Sequence, residues 1–157
     1  MTAAETLSQY YGIAYRVIMR QTDGLTQVDS LIQPPFRGNC LNWVLGHIIN
    51  GRNATLKYLG EDPVWSEEIN KRYDRNSEPI TGEAENILTL PQLLHDLEVS
   101  QERIQGALKQ ISPERLATVI DEDTLEEQVR FLHWHETYHV GQLELLRQLA
   151  GKNDKVI

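Results

Sequence analysis

The 157-residue chain has the length of one domain and enough residues to bury a sizeable core. Its formal net charge of −8 repels phosphate backbones and anionic bilayers, so neither nucleic acid nor membrane is an expected partner. A single cysteine, Cys40, excludes an internal disulfide and a thiolate-rich zinc site, and no apolar run is long enough to span a bilayer.

Along the chain, Met1 to Arg20 interleaves Glu5, Gln9 and Arg16 with apolar residues, unlike a secretory leader, so a reducing cytoplasm is the expected location. The spacing of Leu7, Tyr10, Tyr11, Ala14, Val17 and Ile18 predicts a first helix from about Ala3 to Thr22, opened by a Thr2–Glu5 capping box. A second helix is predicted from about Cys40 to Leu59, with Gly38-Asn39 as its cap and Gly60 as its stop. Its apolar stripe includes Leu41, Val44, Leu45, Ile48 and Leu56.

The stretch from about Glu61 to Leu88 is far longer than the usual connection in a bundle. A link of this length lets the chain cross the bundle, so that the second and third helices run parallel. Trp65 and Tyr73 lie in it; they are expected to anchor the crossover, and the alternative is that the link also roofs part of a pocket. A third helix follows from about Leu90 to Gln110, with Thr89 and Gln92 placed for a capping box and Pro91 in the first turn. Ser112-Pro113-Glu114 can open a helical turn before a fourth helix, from about Leu125 to Ala150, which Thr124 and Glu127 cap and Gly151 ends. No alternating run bounded by hairpin turns competes with these helices. The fold class expected is all-α, a single four-helix-bundle domain over residues 1–157.

The fourth helix carries His135-Glu136-Thr137-Tyr138-His139, a match to the H-E-x-x-H string of zinc proteases. On a helix the two imidazoles stand about 40° apart around the axis and about 6 Å apart along it, as two ligands of one metal would. In a protease Glu136 is the general base and a third ligand comes from elsewhere. Only 18 residues follow His139; they contain no histidine, and their carboxylates are Glu144 and Asp154. Glu144 faces about 140° away from His139, and no strand is available to hold an extended peptide.

His47 is the better third ligand. It sits in the middle of the second helix on the apolar face, beside Val44 and Ile48. Gly51, one turn later, costs roughly 1 kcal/mol of helix stability, which a close approach by a helix or ligand would explain. One histidine from this helix and an i, i+4 pair from a facing helix make a three-nitrogen site with an open fourth position, the pattern of a catalytic metal. His133 lies about 200° from His135 and cannot join. His95 is expected at the surface, Cys40 as a small buried hydrophobe, and Glu136 in an ion pair or as a partner of a ligand's ring N–H. Gln142 either lines the pocket or is exposed. Tyr10, Tyr11 and Arg16 either wall the pocket or divide between core and solvent.

The segments Leu41-Asn42-Trp43-Val44-Leu45-Gly46-His47-Ile48 and His135-Glu136-Thr137-Tyr138-His139-Val140-Gly141-Gln142-Leu143, with Leu145-Leu146-Arg147 after them, resemble the DinB/YfiT-like superfamily. The resemblance implies a bundle of up-down-down-up type with its crossover between helices 2 and 3. It also implies a divalent metal, zinc or nickel, on His47, His135 and His139, with a position left for water or a small-molecule substrate. Activities expected from it are thiol-cofactor-dependent transfer or hydrolysis, and homodimers are common. Two other readings remain at this stage: an H-E-x-x-H zinc protease with Glu136 as base, and a non-enzymatic metal-binding or interaction module.

Overall fold

Threonine hydroxyls start three of the four long helices. In the computed structural model, which describes residues 1–157, helix α1 (Ala3–Thr22) opens on Thr2, whose Oγ1 accepts the Glu5 N–H at 3.2 Å while Glu5 Oε2 accepts the Thr2 N–H at 2.7 Å. A single turn, α2 (Gln27–Ser30), leads to α3 (Leu41–Leu59). The crossover contains α4 (Glu67–Arg72) and ends at α5 (Leu90–Gln110); the turn α6 (Pro113–Leu116) follows. Two-residue strands β1 (Val119–Ile120) and β2 (Asp123–Thr124) then pair antiparallel before α7 (Leu125–Leu149). The Thr124–Glu127 box closes in both directions, as at Thr2. No helix is long and apolar enough to cross a membrane.

Three local expectations need correction. Gly38-Asn39 does not cap α3: the N-cap residue is Cys40, which makes no side-chain cap bond because its sulfur is fully buried in the core. The box at α5 is half formed. Thr89 accepts the Gln92 N–H, but the Gln92 amide turns instead to Asp96 Oδ1 at 2.8 Å. The chain is also not wholly free of strand: β1 and β2 flank a turn with Asp121 at φ 59°, a conformation Asp tolerates, in a ladder too short to show as alternation.

The packing establishes the topology. Leu7 and Tyr11 from the start of α1 meet Leu56 from the end of α3, Ile104 and Leu108 from the end of α5, and Leu125 and Val129 from the start of α7. At the other end, Ala14 and Ile18 late in α1 meet Leu41 to Ile49 of α3, Leu90 to Leu97 of α5, and Val140 to Leu146 of α7. The four helices therefore run up, down, down, up, with α3 and α5 parallel. Each of α1 and α3 packs on both α5 and α7. Arg147 closes the end of α1: its Nη1 donates to the carbonyls of Gln21 and Asp23, which have no helical partner.

Between the two apolar clusters lies a polar layer. Arg52 of α3 and Glu136 of α7 are both buried and form two parallel hydrogen bonds, Nε to Oε2 at 3.0 Å and Nη2 to Oε1 at 2.7 Å. Arg52 Nη1 donates to Gln101 Oε1 on α5, and the guanidinium lies over the Tyr11 ring of α1 at 5.7 Å. One side chain thus touches all four long helices.

The crossover is anchored as expected. Trp65 Nε1 donates to Asp96 Oδ2 at 2.7 Å, and the buried Tyr73 hydroxyl donates to Asn42 Oδ1 and accepts the Leu88 N–H. The Tyr73 ring lies directly on Gly46, where an added Cβ would fall 2.0 Å from a ring carbon. Gly46, not Gly51, is the glycine this packing demands: a Cβ at Gly51 would meet only His135 Nδ1, at 4.0 Å. Gly46→Ala should therefore lower the unfolding free energy by at least about 2 kcal/mol through overpacking, whereas Gly51→Ala should be neutral or stabilising. Urea denaturation of both variants checks this, and equal losses would contradict the assignment.

Candidate metal centre

Helix α3 presents His47 from its buried face, and α7, antiparallel to it, presents His135 and His139 from successive turns. One ligand atom from each of the three rings lies within 4.8 Å of the other two. The Nε2 atoms of His135 and His139 are 3.1 Å apart. Two nitrogens bound to zinc at about 2.0–2.1 Å with a tetrahedral angle would be about 3.3 Å apart, so this pair is already spaced as ligands are.

The outward nitrogens of His47 and His139 are held by oxygens that accept a hydrogen bond. His47 Nδ1 lies 2.8 Å from the Tyr73 carbonyl, and His139 Nδ1 lies 2.7 Å from Gln142 Oε1. A carbonyl oxygen requires Nδ1–H, which leaves Nε2 with its lone pair in the neutral ring. Metal-binding histidines are oriented in this way. Trp43, one turn before His47, stacks on its ring at 4.7 Å. Burial pushes the His139 pKa down to about 4, against the pull of the Gln142 hydrogen bond, with the positive charges of His47 and His135 adding to the fall. His135 is lowered too, by burial first and then by the charges of His47 and Arg75. The pair is thus held in the neutral form a metal requires. The donor set therefore fits a divalent ion.

The other residues singled out in the sequence lie elsewhere. Glu136 makes the ion pair expected of it, but inside the bundle, with both oxygens held by Arg52 and none free to turn toward the histidines. Such a glutamate cannot serve as the base of an H-E-x-x-H protease. His133 packs against α1, stacked on Tyr10 and edge-on to Tyr11, and His95 is exposed. Tyr11 is core, its hydroxyl 2.9 Å from Thr55 Oγ1, and Arg16 is solvated. Cys40 is buried in the core.

The histidines form the floor of a cleft of about 640 Å³. Its walls combine Trp43 with Phe131, Trp134 and Tyr138 of α7, and two connections add Arg37 and Arg75. Arg75 follows Tyr73 by two residues, so the crossover does border the site as well as anchor it. Another cleft, of about 690 Å³, lies at the far end between the start of α1 and the end of α5, and brings together no metal-binding set. Sequence reading placed Trp43 on the face of His47, one turn away, but missed two features: the Tyr73 carbonyl, which carries no side-chain signature, and the two arginines.

Two expectations follow. Glu136→Gln, which leaves Arg52 buried without its counter-charge, should destabilise the protein by about 3–5 kcal/mol while one ion per chain still binds at saturating metal, more weakly than in wild type. Denaturation curves together with metal analysis check this; loss of metal at unchanged stability would place Glu136 in the site after all. The second concerns pH. In metal-free protein, folded His139 binds its proton near pH 4 instead of about 6.5 when unfolded. Its contribution to stability is then full above about pH 6.5 and is lost as the pH falls from there through 4. Wild type should lose more stability between pH 7 and 5 than His139→Gln, measured by urea midpoints in chelator, and parallel losses would contradict it.

Comparison with known proteins agrees with this geometry. The DinB superfamily profile matches residues 14–143, a span that contains all three histidines. A solved structure, the conserved protein of locus from Enterococcus faecalis, superposes with a TM-score of 0.76 at 20% identity, covering 97% of this chain and 99% of that one. At that identity the likeness is one of fold. No curated protein matches the chain. Matched over most of its length by the family profile, the chain belongs to the DinB superfamily.

Proposed function

We propose that the protein is a divalent-metal-dependent enzyme that holds zinc or nickel on His47, His135 and His139 and acts on a small molecule entering the cleft above them. The observation that carries this reading is the convergence of three imidazoles, those of His47 and His139 with their outward N–H groups tied down, in a cleft open to solvent. A closed structural site would spend a fourth protein ligand, and no cysteine, carboxylate or further histidine joins the cluster. Bound there, a divalent ion would activate water or a thiol, or polarise a carbonyl.

The protein's own contribution is positioning. The Tyr73 carbonyl and Gln142 fix two rings so that each Nε2 faces the others, and the Trp43 face limits rotation of His47. The Arg52–Glu136 pair, immediately beneath, holds α3 and α7 at the spacing the ligands need. The reaction proposed is hydrolysis or thiol-dependent transfer, as superfamily membership suggests, and the setting proposed is cytoplasmic.

Metal content tests the reading directly. Wild type expressed with zinc or nickel available should carry one ion per chain by mass spectrometry. His47→Ala, His135→Ala and His139→Ala should each lose it, and His95→Ala should keep it. Gln142→Ala should retain the site but bind about 10- to 100-fold more weakly. Wild type without stoichiometric metal, or His47→Ala with full occupancy, would overturn the proposal.

A further inference from the structure

The charge of the cleft is opposite to that of the chain. The sequence has 23 acidic and 15 basic residues, yet the 13 residues lining the cleft include two arginines and not one Asp or Glu. Arg37 lies in the connection from α2 to α3, and Arg75 in the crossover just after α4. Both are exposed, and neither is in an ion pair. The nearest acid in sequence to the histidines, Glu136, is turned inward and neutralised by Arg52. Two guanidiniums in an acid-free concavity focus a positive field, which raises the local concentration of anions.

The other wall is apolar. Phe131, Trp134 and Tyr138 are 58%, 61% and 61% exposed, and their i, i+3, i+7 spacing aligns them along α7 beside the histidines. Large aromatic surfaces left in water gain free energy when a ligand covers them. Guanidiniums also pair with carboxylates and other oxyanions through charge-assisted hydrogen bonds stronger than neutral ones.

We infer that the cleft selects small organic anions, with Arg37 and Arg75 holding the anionic head and Trp134 and Tyr138 covering the apolar body. This rests on the cleft being the substrate site of the proposed enzyme. The arginines act as specificity residues and the aromatic wall as a sequence-tolerant platform. Neutral molecules of the same shape gain only the aromatic contacts.

The test uses phenylacetate and its neutral isostere phenylacetamide, titrated into metal-free and zinc-loaded protein and followed by tryptophan fluorescence, since Trp43 and Trp134 line the cleft. Phenylacetate should bind about tenfold more tightly than the amide in both forms of the protein. In metal-free protein the Arg37→Gln/Arg75→Gln double variant should lose that preference with its fold intact, since both side chains are exposed and unpaired. Trp134→Ala should weaken acid and amide alike. Failure of the acid to bind, equal binding of the amide, or an unchanged preference in the double variant each overturns the assignment. Zinc content of the same samples separates the two proposals. An arginine-dependent preference in protein that binds no zinc leaves this inference standing and removes the metal reading; a one-to-one zinc protein without the preference does the reverse.

Discussion

The ion pair between Arg52 and Glu136 is the constraint on which the rest of the bundle depends. Two charges removed from water cost several kcal/mol each unless their geometry and hydrogen bonding are good. Here the carboxylate takes both of its oxygens to one guanidinium, whose remaining donors reach Gln101 and Ser100. That solution exists at only one relative height of α3 and α7. Sliding either helix by a turn, about 5.4 Å, would strand both charges in the core. Apolar side chains on each side tolerate small shifts; the ion pair does not.

The three-histidine cluster inherits its register from this pair. His47 precedes Arg52 by little more than one turn of α3, and His135 is the residue before Glu136 on α7. The step of about 100° between neighbouring helix positions directs the glutamate to the bundle axis and the histidine to the cleft. One pentapeptide thus serves two purposes, with His135 and His139 on the cleft side and Glu136 as the fastening between helices. The crossover supplies the second fixed point. Tyr73 can deliver its carbonyl to His47 because its ring is seated on Gly46, only one residue away from that histidine. The histidine cluster, crossover packing and the buried pair are therefore coupled within two turns of α3.

What could be read in the sequence follows from the range of each interaction. Helix starts at Thr2 and Thr124 are contained within four residues, and both boxes form as written. The parallel course of α3 and α5 was legible because loop length restricts topology. The histidine pair is local, and His47 was found because a buried titratable residue on an apolar stripe is conspicuous. The partners of Glu136 and Tyr73 were not legible. Arg52 lies 84 positions from Glu136, and several other arginines were equally available in the sequence. Gly46 and Gly51 look alike in a helical pattern; only the arrival of a ring from residue 73 distinguishes them. The cleft arginines come from two connections whose path no periodicity encodes.

The arrangement also explains why a protease-like string need not imply protease chemistry. In such an enzyme the glutamate must reach the solvent side of the metal, whereas here the same residue has been recruited to neutralise a buried guanidinium. No Asp or Glu lines the cleft. Histidine ligands bring no negative charge to an ion held there, and Arg75 lines the same cleft. A site with this balance has no acidic side chain to offset its positive field. The negative charge to balance an ion held there would have to come from solution, so the metal site and the anion selection proposed above draw on the same electrostatic asymmetry.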